Sequence, residues 1–279
     1  MKTIRSVSEM QKWSLAERRA GKTIGFVPTM GALHSGHARL FSESAAQNQR
    51  TVVSIFVNSL QFNNASDLEA YPRQLEQDSV IAEQENVDVL FVPSHEEMYP
   101  KGFSSIVSAG SIAENMEGLH RPGHFDGVAT VVVKLLNSVV PDVAYFGRKD
   151  FQQLAVIRSV VRDFDMMCEI RSVATVRNEM GLALSSRNSR LSAESHKQAP
   201  EIFTLLDEIT QMCRTTKMSS QAIQQHFTNG IESNTAGTVE YIECVDSVTL
   251  DPVTDASSGT TICVAVWFDD VRLIDNVSI

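Results

Sequence analysis

Cysteine is scarce and scattered. Cys168, Cys213, Cys244 and Cys263 form no Cys-x-x-Cys pair, which excludes both a zinc ribbon and a disulfide framework. Long apolar runs are missing as well: no window approaches the eighteen or more apolar residues of a membrane span. The opening MKTIRSVSEMQKW has no apolar signal core, so a cytoplasmic chain with no membrane partner is expected. Positive charge is in short supply. A net charge of −10 argues against a sequence-independent hold on nucleic acid, which needs a concentrated positive surface. A small anionic ligand needs only a few local cations and remains open.

What the chain does contain is ordinary globular material, 43% hydrophobic and 21% charged, which excludes disorder and fibrous structure. Its 279 residues suit one large domain or a larger one followed by a smaller one. The segments KTIGFVP, TVVSIFV, NVDVLFVP, PDVAYFG and CEIRSVAT are short β-branched or aromatic runs bounded by turn residues and read as buried strands. Helical patterns lie between them, over 37–49 and 74–85. A third follows from Val128, Val131, Val132, Leu135, Leu136 and Val139, which recur at helical spacing. Alternation of this kind predicts an α/β fold, a Rossmann-like parallel sheet with right-handed crossovers and ligands beyond the carboxyl ends of its strands. After about Ser192 the texture changes to polar helices over 193–214 and 219–233, then to VEYIECVDS, TICVAVW and VRLIDNV, which suit an antiparallel sheet. The expected division is a Rossmann-like domain over 1–176 and a smaller α+β domain over 177–279.

Four segments carry chemistry. In VPTMGALHSGHARL, an apolar strand runs into a helix start, where free backbone N–H groups and the helix dipole favour anions. Gly31 and Gly36 let the main chain approach a bound group. His34 and His37, one helical turn apart, can both donate to a phosphate. Two histidines are too few for zinc; taken alone, the pair reads as a turn residue and a solvated first-turn residue. In FGRKDFQQL, Gly147 and Lys149 precede another helix start, although Asp150 and Gln153 also fit a purely structural cap. GLALSSRN sets two hydroxyls and a guanidinium in a junction loop able to close over a triphosphate or to act as a plain linker. RPGHFDGVATVVVKLLN puts Arg121 and His124 just before a helix that Asp126 is placed to cap.

Together with SIFVNSLQF, DLEAYPRQLEQD and RLIDN, these segments resemble the pantoate–β-alanine ligase (pantothenate synthetase) family. That family belongs to the nucleotidyltransferase superfamily and carries a His-Ile-Gly-His-like element; the likeness covers nearly the whole chain in order. It implies an ATP-dependent ligase in the pathway to coenzyme A that condenses pantoate with β-alanine through a pantoyl adenylate, releasing pyrophosphate and AMP. The resemblance also assigns roles. His34, His37 and Lys149 would be catalytic. Met30, Gly147, Asp150, Ser185, Ser186 and Arg187 would join them on ATP, the last three as the counterpart of a KMSKS loop. Met30, Gln61, Gln153 and Asn58 would hold pantoate, so that 1–176 binds nucleotide and pantoate and 177–279 carries the closing loop. Arg121 and His124 would lie near the site. Mg2+ would ride mainly on ATP phosphates and waters; its protein ligands are unknown, and among Asp67, Glu69, Glu76 and Asp78 either an approach to the metal or a solvated helix face is open. Tyr71, Pro72 and Arg73 would shape a loop over the substrate. A homodimer follows from the resemblance alone.

The sequence departs from the family pattern at Ser59, usually proline, at Met180 in RNEMGLA, and in FDDVRLIDN. Ser59 is expected to loosen the loop holding Asn58 and Gln61, and Met180 to alter a hinge. A cytidylyltransferase of the same superfamily would share the histidine pair but not the pantoate-side pattern. A non-catalytic nucleotide-binding protein would bind ATP without turnover.

Overall fold

The computed structural model describes residues 1–279, the side chains of residues 65 and 66 excepted. The chain gathers into two units, Met1–Arg148 with Val156–Ala174, and Lys149–Ala155 with Thr175–Ile279. Six strands build the first unit: β1 (Lys2–Ile4), β2 (Ile24–Thr29), β3 (Arg50–Ile55), β4 (Val89–Phe91), β5 (Val143–Gly147) and β6 (Glu169–Val173). They pair in parallel, in the order β1-β4-β3-β2-β5-β6. Ile24, Phe26, Val27, Val52 and Val53 are fully buried, because helices cover both faces of a parallel sheet; this is why the strands read as unbroken apolar runs.

Strand order reverses at β2, with β3 and β4 to one side and β5 and β6 to the other. Pairing of β2 with β3 runs through Thr29, but pairing with β5 is confined to Gly25 and Phe26. Pro28 therefore falls where β2 has already parted from β5. Proline has no N–H to give a ladder, so a central strand tolerates it only at such a place. The parted carboxyl ends of β2 and β5 form the crevice in which open α/β sheets bind ligands.

The second unit carries β7 (Thr238–Asp246), β8 (Thr260–Phe268) and β9 (Val271–Ser278), an antiparallel sheet with β8 in the middle. Helices Glu201–Thr215 and Ser220–Asn234 supply Leu206, Ile209, Ile223 and Phe227 to a core shared with Ile262 and Val264. The single helix expected over 193–214 is two, Ala193–Gln198 and Glu201–Thr215, because Pro200 lacks the N–H needed to continue the first and suits the start of the second. Of the four thiols, Cys244 and Cys263 are buried and Cys168 and Cys213 only partly so. Among the described residues no helix is long and apolar enough to cross a membrane.

Candidate active site

The loop leaving β2 turns through two left-handed residues, Gly31 at φ +83° and Ala32 at φ +51°. Its two following amides are held by one side chain: Asp78 Oδ2 accepts from Ala32 N–H at 3.1 Å and Oδ1 from Leu33 N–H at 2.8 Å. Asp78 is 1% exposed, and a Cβ at position 31 would stand 2.9 Å from Oδ2, so only glycine lets the carboxylate come so close. The solvated-face reading of Asp78 does not hold: the side chain is buried, and each of its oxygens accepts a backbone N–H. Glu69 and Glu76 are exposed.

Helix Ser35–Gln47 begins directly after this clamp, with His34 as its N-cap. His34 Nδ1 accepts from Gly36 N–H at 3.1 Å, and His37 Nδ1 accepts from His34 N–H at 3.3 Å. The two rings lie 4.2 Å apart, centre to centre. An Nδ1 that accepts from the backbone carries no proton, so the ring proton of each neutral imidazole is on Nε2. The capping pattern thereby makes both Nε2 atoms donors, at a helix N-terminus whose dipole favours anions.

Beyond β3, the 3-10 turn Ser59–Gln61 carries Asn58 at its cap. Gln61 Nε2 lies 3.1 Å from Met30 Sδ, which joins this turn to the loop after β2. Arg121 and His124 act on the backbone here. His124 Nδ1 donates to the Gln61 carbonyl at 2.8 Å, and its Nε2 receives Arg121 Nη1 at 3.2 Å. They stand beside the candidate pantoate residues as supports. Asp126 does not cap the helix His124–Val139, whose N-cap is Gly123; its Oδ1 accepts instead from Ala109 N–H at 2.8 Å. A cavity of about 380 Å3 opens against Met30, Phe56, Pro72, Arg73, Gln74 and Asp78.

In the second unit, Lys149 Nζ lies 3.4 Å from Asp150 Oδ1, and the Asp150 carbonyl accepts from Leu154 N–H to open the helix Phe151–Asp163. The Lys149 carbonyl is held by Asn276 Nδ2 at 2.9 Å. Ser185 caps the 3-10 turn Ser186–Arg190 by accepting from Arg187 N–H at 3.2 Å. Ahead of it, Asn178 Oδ1 accepts from Met180 N–H and Leu182 N–H, and Gly181 takes φ +93°. The Met180 side chain itself is 52% exposed. Arg177 holds Asp275 through two bonds, reaches the Gly181 carbonyl at 3.1 Å and stacks 3.6 Å from the Phe203 ring centre. Nothing in the sequence pattern singles out Arg177, Asp275 or Asn276 as functional; the segment RLIDN marks the last two only as part of a resemblance.

Among the described residues no three His, Cys, Asp or Glu side chains stand together as a metal cage.

A family model described as pantoate-beta-alanine ligase matches residues 2–278. The chain is 43% identical to the pantothenate synthetase of Caldicellulosiruptor bescii over 99% of its length and 98% of that protein's. It is 44% identical to that of a Sulfurihydrogenibium species, over 99% of each. Among solved structures it is similar to pantothenate synthetase from Thermus thermophilus, with a TM-score of 0.93 at 41% identity, covering 100% of this chain and 99% of that one. It also matches the pantoate-beta-alanine ligase of Francisella tularensis, complexed with beta-gamma ATP and beta-alanine, with a TM-score of 0.83 at 36% identity over 100% and 97% of the two chains.

Proposed function

We infer the chemistry of this site from one premise: the chain belongs to the pantoate–β-alanine ligase family. It is an ATP-dependent ligase that joins pantoate to β-alanine. We propose that the reaction runs through a pantoyl adenylate. A pantoate carboxylate oxygen attacks the α-phosphorus of ATP and pyrophosphate leaves with the bridging oxygen. The β-alanine amine then attacks the acyl carbon, AMP leaves with its electron pair, and the ammonium proton passes to solvent.

The observation that carries this reading is the paired Nε2 donors of His34 and His37 at a helix N-terminus beside the strand-order reversal. Charge builds on the phosphate oxygens as the α-phosphorus is attacked, and fixed donors that need not reorganise stabilise that charge more than they stabilise ground-state ATP. Lys149 would add a point charge. Ser185, Ser186 and Arg187 would supply hydroxyls and a guanidinium to the triphosphate, with Gly147 and Asp150 flanking the nucleotide. Met30, Gln61 and Gln153 would take pantoate, with Asn58 beside them helping to orient the reacting groups, and no enzyme nucleophile is needed.

Mg2+ is proposed to enter with ATP, since the described residues offer no three-ligand cluster. The proposed division of labour keeps nucleotide and pantoate binding with 1–176 and the serine–arginine loop with 177–279. A homodimer and a cytoplasmic location belong to the same proposal. The test is product identity. With ATP, Mg2+, pantoate and β-alanine the enzyme should form pantothenate and AMP in equal amounts, read by chromatography; ADP as the nucleotide product would refute the adenylate.

A further inference from the structure

Asn58 is 1% exposed, and its amide is bonded at both ends. Nδ2 donates to the Gly127 carbonyl at 3.0 Å and to Gln61 Oε1 at 3.0 Å, while Oδ1 accepts from the Tyr99 hydroxyl at 2.7 Å. These partners are not interchangeable. A backbone carbonyl only accepts, so Gly127 forces Nδ2 toward itself, and Oδ1 must then face Tyr99. The second Nδ2 hydrogen in turn selects Oε1 of Gln61. That choice turns Gln61 Nε2 away from Asn58 and toward Met30 Sδ, 3.1 Å off.

The backbone around this chain of bonds is built for it. A Cβ at position 127 would stand 2.3 Å from the Leu60 carbonyl oxygen and 2.8 Å from Gln61 N, so glycine alone allows the helix to press its carbonyl against Asn58. Tyr99 is 9% exposed and packed among the rings of Phe56, His95 and Phe103. Burial pushes its phenol further above the usual range, so the hydroxyl stays a donor at any pH the enzyme meets.

We propose that Tyr99 is a positioning residue for the acid substrate: its hydroxyl, with the Gly127 carbonyl, fixes Asn58 and through it makes Gln61 present Nε2–H rather than its carbonyl to pantoate. The inference rests on the assignment of Gln61 to pantoate. A donor at this point gives its hydrogen to a substrate oxygen and refuses an N–H or ammonium group placed there, because the refused partner leaves buried polar groups unpaired.

The test is a double-mutant cycle on the full-length enzyme. Tyr99→Phe should raise the KM for pantoate about fivefold, the effect of one net hydrogen bond, with KM for ATP and β-alanine within about twofold. In a Gln61→Ala background Tyr99→Phe should change nothing further, since there is no amide left to orient. The same fivefold factor in both backgrounds, or equal losses for all three substrates, means that Tyr99 only supports the fold and overturns the relay. Should Tyr99→Phe not fold, Asn58→Ala breaks the chain at its middle and must show the same dependence on Gln61. Gln61→Ala alone reports on the underlying assignment. A pantoate KM unmoved by it overturns that assignment and the relay together, whereas a raised KM with an undiminished Tyr99→Phe factor overturns the relay alone.

Discussion

Asp78 and Leu33 are joined by a 2.8 Å hydrogen bond across forty-five residues of chain, and with Ala32 they hold the turn that delivers His34 to its helix. A carboxylate bonded to two backbone amides stabilises more than a neutral acceptor, roughly 1.5–3 kcal/mol for each charged bond. Asp78→Asn keeps the shape but faces its Nδ2 toward one of those amides. It is expected to lower unfolding free energy by about 2 kcal/mol in urea titration, within that range, and to cut kcat because the histidine cap shifts with the turn. A variant with unchanged stability would show that the strained Gly31–Ala32 turn holds itself.

His34→Ala and His37→Ala should each lower kcat by about a hundredfold or more at saturating ATP, the usual loss for a transition-state donor. The capping geometry adds a sharper variant. Asparagine is itself a good N-cap, so His34→Asn should keep the thermal midpoint within a degree or two while losing the Nε2 donor and the rate, because cap loss is worth only about 1 kcal/mol. Near-wild-type turnover in His34→Asn would assign His34 to the fold instead of the phosphates.

The sheet is legible in the sequence because both-face burial writes strands as continuous apolar runs, and the histidine pair is legible because both partners lie within one helical turn. β1 is not: three residues on a sheet edge leave no pattern. Nor is the helix Val7–Arg19, since Met10 and Ser14 are its buried residues and give no apolar stripe. Asp78 misleads because its helix carries Glu76 on the exposed face, and the partners that bury it are 45 and 46 residues away. Tyr99 and Asn276 meet their partners across 41 and 127 residues. No local spacing signals such bonds. Around Ser59, where the sequence lacks the family's proline, the side-chain amides of Asn58 and Gln61 are tied to Gly127, Tyr99 and Met30, again across long stretches of chain.

Gln153→Ala separates recognition of the acid from recognition of ATP. Gln153 is half-buried on the first turn of helix Phe151–Asp163, where a neutral amide suits a hydroxy acid better than a polyphosphate. Pantoate KM should rise about tenfold and ATP KM less than about twofold, as for loss of a hydrogen bond to a charged group. Equal weakening of both substrates would point to a helix-opening role shared with Asp150.

The adenylate itself is tested by isotope exchange. If pantoyl adenylate forms before the amine reacts, its formation is reversible on the enzyme, and labelled pyrophosphate should enter ATP with Mg2+ and pantoate present and β-alanine absent. Leaving out pantoate should stop the exchange, because no acceptor then exists for the α-phosphoryl group. His37→Ala should slow exchange and overall synthesis by similar factors if its donor acts in the first step. A variant that loses synthesis while keeping exchange would move His37 to the second step. Exchange without pantoate would mean attack on ATP by something other than the acid, and a concerted ligation would give no exchange until β-alanine was added.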